Sequence, residues 1–327
     1  MRNHRTFGFW CGALTVWMCA SLAAHATLVD DIVAQVSQSS YSNYLAGTDF
    51  LYTHAGNNRN DHTANHSAAM QNIYNTFGSF GLTASYDLFG TGTNVVAVKT
   101  GTVHPEQVYI IGAHYDSVGN AGADDNASGV AAVLEAARVL ADFQFEATLR
   151  FVAFDREEDG LIGSTAYAAA HAGDNILGML SLDMIAYNAP SRLNTALLYG
   201  RSASDPLKLA LSNAISLYGE GITVSDLGQF DASDHAPFEA RGFQAALLIE
   251  GAMNRYLGYL NPNYHTANDN VDQAGYIDYL YATRMTRSAV GWLATDAGLL
   301  NVPEPSLLFL LAVGGLIIAA RSRARRC

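Results

Sequence analysis

The most informative absence from this sequence is cysteine. The chain of 327 residues has three cysteines, Cys11, Cys19 and Cys327, so residues 27–305 contain none. Their absence excludes disulfide bonds and thiolate metal sites from that stretch. Charged residues are also scarce, at 15% of the chain, whereas hydrophobic residues make up 50%. This composition favours a folded protein with a sizeable core over a disordered one.

Positive charge is the second shortage. Residues 27–305 carry 12 Lys and Arg residues against 30 Asp and Glu residues, which gives a net charge of −18. The other six Lys and Arg residues lie in residues 1–26 and 306–327, which contain no acid. Because a domain this acidic repels polyanions, we predict that the protein does not bind nucleic acid.

The first 26 residues have the pattern of a secretory signal peptide. Two arginines precede an apolar stretch from Phe7 to Leu22, and residues 24–26 supply the small residues of a cleavage site. A transmembrane anchor is the alternative, but this apolar stretch is short for one. We therefore expect residues 1–26 to be removed and the protein to be exported.

Residues 302–327 combine three features in a fixed order. Pro303-Glu304-Pro305 is followed by the uncharged residues 306–320 and then by four arginines. This order resembles the PEP-CTERM protein-sorting signal. The resemblance implies transient inner-membrane anchoring through a short transmembrane helix, then processing by an exosortase-type sorting enzyme in a Gram-negative envelope. A permanent single-span anchor is the alternative. The basic tail favours a cytoplasmic position and so places the preceding domain in the cell envelope or outside the cell.

Residues 27–301 are predicted to form one domain in which strands and helices alternate. Continuously apolar strands of this kind are typical of a parallel sheet that is buried on both faces. We therefore predict an α/β fold with a mainly parallel, mixed central sheet and helices on both faces. The predicted strands are Asn94–Lys99, Val108–Ala113, Leu149–Phe154, Ala196–Tyr199 and Ala245–Ile249, and the predicted helices are Ser128–Leu140, Pro206–Tyr218 and Tyr276–Leu293.

Acidic and imidazole side chains follow these strands, where ligand sites of such sheets lie. His114 and Asp116 follow one predicted strand, Glu157 and Glu158 follow another, and Asp183 ends an apolar stretch. Carboxylates brought together in this way repel one another and are costly to desolvate unless a cation joins them. Mixed imidazole and carboxylate ligands suit a pair of catalytic zinc ions.

Five short motifs then occur in one order. They are HYDS at 114–117, GADDNASG at 122–129, EEDGLIGS at 157–164, LDM at 182–184 and YHTAND at 264–269. Together they resemble the co-catalytic di-zinc aminopeptidase family typified by secreted bacterial leucyl aminopeptidases, over roughly residues 40–298. The resemblance implies two Zn²⁺ ions, peptide substrates and hydrolysis of the N-terminal residue by a metal-bridging water.

The resemblance also implies roles for eight residues. Glu157 is the expected general base, and Asp116 is expected to orient the imidazole of His114. Tyr264 is expected to hydrogen-bond the developing oxyanion, with a packed tyrosine as the alternative. The expected metal ligands are His114, Asp125, Glu158, Asp183 and His265, of which Asp125 bridges the two ions.

Several polar residues outside these roles have simpler interpretations. We predict that residues 56–62 form a solvated loop and that His66 and His171 are ordinary surface residues. Asp269 is either a supporting partner for His265 or a helix-start residue. The segment 233–238 resembles a family segment near the substrate pocket.

Three alternative functions stay open. A carboxypeptidase of this fold needs a cationic pocket, to which Arg201 and Arg255 are the candidate contributors. A glutaminyl-cyclase-like enzyme works with one zinc ion, whereas the five predicted ligands favour two. A non-catalytic envelope scaffold usually lacks ligands or the base, and all six of these positions are filled here.

Overall fold

The computed structural model describes residues 28–254 and 258–300. Its centre is an eight-stranded sheet, and a two-stranded hairpin of β9 (Met253–Asn254) and β10 (Gly258–Tyr259) lies apart from it. The strands of the large sheet are β1 (Thr83–Phe89), β2 (Gly92–Lys99), β3 (His104–His114), β4 (Ala147–Phe154), β5 (Asn175–Leu182), β6 (Thr195–Tyr199), β7 (Thr223–Asp226) and β8 (Ala245–Glu250).

The sheet is mixed, and its strand order is β1-β2-β4-β3-β5-β8-β6-β7. The four central strands β4, β3, β5 and β8 run parallel to one another. Antiparallel pairing joins β1 to β2, β2 to β4 and β8 to β6, and β6 pairs with β7 in parallel. The predicted α/β fold with a mixed sheet is confirmed. The parallel strands at its centre direct their carboxyl ends to the same edge.

Helices cover both faces of the sheet. Residues 28–33 are also helical, and this segment is α1. The other helices are α2 (Gln38–Ala46), α3 (Ala64–Ser79), α4 (Gly129–Leu140), α5 (Ile162–Ala170), α6 (Asp205–Tyr218), α7 (Ala236–Glu239) and α8 (Tyr279–Asp296). Helices α3, α4, α6 and α8 contact one another or one face of the sheet, and α5 packs against α7 on the other face.

Alternate strand residues enter two separate cores because successive side chains point to opposite faces of a sheet. Ile110 belongs to the core that contains Tyr167 of α5 and Phe238 of α7. Its neighbour Ile111 belongs to the larger core beneath α4. Every residue of α4 except Arg138 is buried, which agrees with its apolar composition. A helix that is apolar on all sides is expected to be enclosed by other elements.

Within the described ranges, no helix is both long enough and apolar enough to cross a membrane. The predicted signal peptide at residues 1–26 and the predicted sorting segment at residues 302–327 lie outside these ranges. The prediction of a C-terminal transmembrane helix therefore stays a prediction.

A buried carboxylate ties the N-terminal helices to α4. Glu135 is fully buried, and its Oε1 accepts a 2.6 Å hydrogen bond from the backbone N–H of Ser37. Its Oε2 accepts a 2.7 Å bond from Ser40 Oγ, and Arg138 donates to both oxygens. Four donors therefore converge on one carboxylate, and removal of its charge leaves some of them unsatisfied.

We expect Glu135→Gln to lower the free energy of unfolding by about 2–3 kcal/mol, because hydrogen bonds to a buried charge are lost. Urea unfolding followed by circular dichroism measures this change. Glu106→Gln is the matched control, since the side chain of Glu106 is 63% exposed and should shift stability by less than about 0.5 kcal/mol. Equal midpoints for the two variants would contradict the anchoring role of Glu135.

Candidate metal centre

Three neighbouring parallel strands, β4, β3 and β5, deliver the first group of side chains. His114 is the last residue of β3, Asp183 follows β5 directly, and Glu157 and Glu158 follow β4 after a short turn. Because β3 lies between the other two strands, these side chains meet at one edge of the sheet.

Asp125 lies between two imidazoles. Its Oδ1 is 3.3 Å from His114 Nε2, and its Oδ2 is 3.1 Å from His265 Nε2. Asp125 is buried in the segment between β3 and α4, whereas His265 comes from the loop after β10 and is 37% exposed. One carboxylate therefore contacts two imidazoles, one with each oxygen, as a bridging carboxylate would.

Two further carboxylates complete the two halves of the centre. Asp183 Oδ1 lies 3.6 Å from His114 Nε2, and Glu158 Oε2 lies 3.3 Å from His265 Nε2. Each half thus contains one imidazole, one carboxylate of its own and one oxygen of Asp125. The structure brings all five residues predicted as metal ligands into one cluster.

Glu157 lies at the margin of this cluster. Its Oε2 is 4.0 Å from His114 Nε2, which is farther than the oxygens of Asp125 and Asp183. Possible ligand atoms of His114, Glu157 and Asp183 lie within 4.8 Å of one another, so Glu157 is close enough to approach the same ion. The role of Glu157 as the general base stays a prediction.

Asp116 holds the backbone of the two glutamates. Its Oδ1 accepts a 3.1 Å hydrogen bond from the N–H of Glu157, and its Oδ2 accepts one of 3.1 Å from the N–H of Glu158. Oδ1 also lies 3.3 Å from His114 Nδ1, the ring nitrogen that faces away from Asp125. Asp116 therefore fixes two parts of the centre at once, as expected of a residue that orients a ligand.

Asp269 holds the backbone of the neighbouring loop in the same way, by accepting hydrogen bonds from two consecutive amides. Its Oδ1 accepts a 2.8 Å hydrogen bond from the N–H of Asp124, and its Oδ2 accepts one of 3.2 Å from the N–H of Asp125. Asp269 was interpreted from the sequence as a partner of His265 or as a helix-start residue. In the structure it instead binds these two backbone amides. Ser233 is a further support that the motifs did not predict, since its Oγ donates to Asp183 Oδ2 over 2.8 Å.

The buried carboxylates of the cluster favour the binding of positive charge. Burial raises the pKa of Glu157 well above its usual range, and burial together with Asp125 raises the pKa of Glu158 to about 7. Burial opposes ionisation of Asp125, but hydrogen bonds from His114 and His265 lower its pKa to about 2. Burial also opposes protonation of His265, yet Asp125 and Glu158 raise its pKa to about 10. The carboxylates therefore favour positive charge at His265, as they would favour a metal cation.

The donor atoms fit a metal pair. Glu158 Oε1 is buried and has no hydrogen-bond partner among the described residues. A buried carboxylate oxygen without a partner is costly unless an ion occupies its free side. Two imidazoles and three carboxylates are suitable zinc ligands, and the described residues bring no cysteine to the cluster.

The backbone near the centre adopts the left-handed conformation at three non-glycine residues. The φ angles are +58° at Arg156, +52° at Met184 and +55° at His265. Each of these residues is a proposed ligand or lies within two positions of one. Such conformations cost about 1–3 kcal/mol and persist where the surroundings enforce them, as is common in functional sites.

Tyr264 lines a cavity beside the cluster. Its ring stacks on the ring of His265, with centroids 3.8 Å apart. The cavity is lined by carboxylates of the cluster and by apolar side chains, among them Met184, Phe230 and Ile249. Tyr264 therefore lies where it can contact a molecule in the cavity. Its oxyanion role stays a prediction.

Two residues predicted to be solvent-exposed are buried. His66 is 6% exposed, stacks on Tyr115 and has its Nε2 2.7 Å from Asp155 Oδ1. Arg59 is fully buried within the stretch predicted as a solvated loop. The sequence pattern around these residues does not predict their burial, because the partners of both lie far away in the sequence: His66 contacts Asp155, and Arg59 contacts the carbonyl of Tyr115.

Comparison with known proteins identifies the family. The profile of peptidase family M28 matches residues 94–290, more than half of the chain, and the chain belongs to this family. The profile of the PEP-CTERM protein-sorting motif matches residues 301–326. The resemblances predicted from the motifs are thereby confirmed.

Similar proteins agree with this assignment. The aminopeptidase YwaD of Bacillus subtilis is 34% identical over 191 residues, which are 56% of this chain and 40% of that protein. The LapA aminopeptidase of Legionella pneumophila shares the fold, with a TM-score of 0.71, 21% identity and coverage of 85% of this chain and 76% of that one. BSAP, a zinc aminopeptidase from Bacillus subtilis, has a TM-score of 0.55 at 26% identity and covers 63% of this chain and 50% of that one. The chain covers only 22–57% of the length of the first curated relatives it matches.

We expect His66→Phe to lower the free energy of unfolding by about 2–3 kcal/mol. Phenylalanine keeps the ring contact with Tyr115 but leaves the buried carboxylate of Asp155 without its imidazole partner. Thermal unfolding of the variants measures the loss. His62→Phe is the control, because the side chain of His62 is 78% exposed. An unchanged midpoint for His66→Phe would show that the His66 contact does not stabilise the fold.

Proposed function

We propose that this protein is a metal-dependent exopeptidase that removes N-terminal residues from peptides and uses two Zn²⁺ ions. The position of Asp125 is the observation that carries the proposal, because its two oxygens face two different imidazoles at 3.3 and 3.1 Å. Membership of peptidase family M28 and likeness to proteins described as zinc aminopeptidases support it.

Each residue of the cluster has a proposed task. His114 and Asp183 would hold one ion and His265 and Glu158 the other, with Asp125 shared between them. When bound, the two ions supply Lewis-acid activation of water and polarisation of the scissile carbonyl. Glu157 takes the proton of the attacking water and delivers it to the leaving amine. Asp116 orients His114 and the two glutamates, and Tyr264 donates a hydrogen bond to the oxyanion.

The apolar residues that line the cavity favour an N-terminal residue with an apolar side chain. Met184, Phe230, Leu247 and Ile249 line this cavity together with the carboxylates. The carboxylates attract the positively charged amine of a peptide, and the apolar wall accepts the side chain next to it. No Lys or Arg lines this cavity within the described ranges, and Arg201 instead pairs with Asp231 and Glu239. This absence disfavours the carboxypeptidase alternative, although Arg255 lies outside the described residues.

We further propose that the protein is exported and transiently anchored in the inner membrane, then processed by an exosortase-type enzyme. The match of residues 301–326 to the PEP-CTERM motif supports this proposal. The signal-peptide pattern of residues 1–26 agrees with it.

The decisive experiment combines a substrate panel with metal analysis. We expect the purified protein to hold about two zinc ions per chain and to cleave aminoacyl-arylamides with apolar residues. A chelator should abolish cleavage, and Zn²⁺ should restore it. Cleavage of N-blocked peptides alone would contradict the aminopeptidase, cyclisation of N-terminal glutamine would favour the cyclase, and zinc below about one ion per chain would favour a scaffold.

Glu157→Gln should reduce kcat by about 10²–10⁴-fold while zinc content stays at the wild-type level, because glutamine cannot accept the proton. Steady-state kinetics together with elemental analysis measure both quantities. The exposed Glu106→Gln is again the control and should leave kcat unchanged. Near-normal turnover by Glu157→Gln would show that another group acts as the base.

A further inference from the structure

Arg59 is a charged residue whose side-chain hydrogen bonds, among the described residues, all go to backbone carbonyl groups. The side chain is fully buried. Its Nε donates to Tyr115 O over 2.9 Å, and its Nη2 donates to Gly122 O over 2.7 Å. Its Nη1 donates to the carbonyls of Leu51 and Ala121. The guanidinium therefore joins three separate stretches of chain.

Two of these stretches carry the proposed metal ligands. Tyr115 lies between His114 and Asp116, and Ala121 and Gly122 lead into the segment that bears Asp125. The backbone N–H of Arg59 also donates to Ser117 Oγ over 3.0 Å, so main chain and side chain hold the same loop. Gly122 has a φ of +52°, and a Cβ there would lie 2.3 Å from Asp125 O. The same Cβ would lie 3.0 Å from Arg59 Nη2, so the loop packs closely against the guanidinium.

The burial of Arg59 needs an explanation, because burial of a charge is costly. Burial lowers the pKa of Arg59 to about 10, so the side chain stays charged at neutral pH. Among the described residues, the hydrogen bonds of its side chain go to backbone carbonyls and not to a carboxylate. Asp116, Asp125, Glu158 and Asp269 are nevertheless close enough to attract it. Its positive charge therefore partly offsets the negative charge of these carboxylates, while its hydrogen bonds leave their oxygens available to metal ions.

We propose that Arg59 is a positioning residue for the metal centre, which fixes the two loops of His114 and Asp125 in the geometry that receives the metal ions. This inference rests on the proposed function. Arginine suits the task because its planar group carries five donors and can bind several carbonyls at once. Lysine retains the charge but has three donors on a single nitrogen and cannot reproduce the arrangement.

The test is Zn²⁺ affinity rather than activity. Metal-free wild type, Arg59→Met and Arg59→Lys are titrated with Zn²⁺ in competition with a chromophoric chelator, at a temperature where every variant is folded. We expect Arg59→Met to bind Zn²⁺ about 10- to 100-fold more weakly, the usual effect of losing a residue that supports metal ligands. Arg59→Lys should have an intermediate affinity. Visible absorption of the Co²⁺-loaded proteins should change in the same order, since it reports ligand geometry.

Two controls separate positioning from general stability. Arg287→Met removes an arginine of α8 that pairs with the exposed Glu220. Leu293→Ala opens a cavity in the core of α8, so it should lower the unfolding midpoint without changing Zn²⁺ affinity. If Leu293→Ala loses as much affinity as Arg59→Met, the effect is only structural and the proposal fails.

The remaining outcomes also decide the question. Wild-type affinity in both Arg59 variants would overturn the proposal and leave the proposed function intact. If Arg59→Met does not fold, Arg59→Lys alone decides, since wild-type affinity contradicts the role and weakened binding supports it. A wild-type protein that binds no Zn²⁺ would overturn the proposed function and this inference with it.

Discussion

The structure depends on the crowding of negative charge at the carboxyl ends of β4, β3 and β5. Parallel strands bring His114, Glu157, Glu158 and Asp183 to one edge of the sheet, and Asp125 lies among them. Carboxylates packed this closely with little water repel one another unless a cation lies between them. The surrounding fold must therefore hold the side chains against that repulsion. The proposed zinc pair would supply the attraction that makes their arrangement favourable.

The fold holds two acidic dipeptides by the same means. Asp116 accepts from the consecutive amides of Glu157 and Glu158, and Asp269 accepts from those of Asp124 and Asp125. Each carboxylate thereby fixes two peptide units. This arrangement turns neighbouring acids to different sides, since Asp125 faces the imidazoles whereas Asp124 accepts hydrogen bonds from Ala186 and Asn261. The ligand loops are therefore set by hydrogen bonds that do not involve the ligand oxygens themselves.

Much of this could be predicted from sequence, because apolar strands and the residues that follow them are local patterns. The strands containing Val108–Ala113 and Leu149–Phe154 were predicted within their observed bounds, and the five ligand positions meet in space. The start of the last helix was less well predicted: Tyr279 begins α8, three residues after the predicted Tyr276. Asp278 caps that helix by accepting from two backbone amides, a contact that apolar periodicity does not reveal.

What the sequence could not indicate is the burial of Arg59 and His66. Both lie in polar stretches of the sequence. The carbonyl that Arg59 contacts belongs to Tyr115, 56 residues away, and the carboxylate that His66 contacts belongs to Asp155, 89 residues away. Both residues also precede the stretch 94–290 that matches the family profile. The proposed ligands and the proposed base lie inside that stretch, whereas part of the charge and hydrogen bonding around them comes from outside it. The metal centre is therefore not a property of the matched region alone, and the loop and helix that precede β1 belong to its structural support.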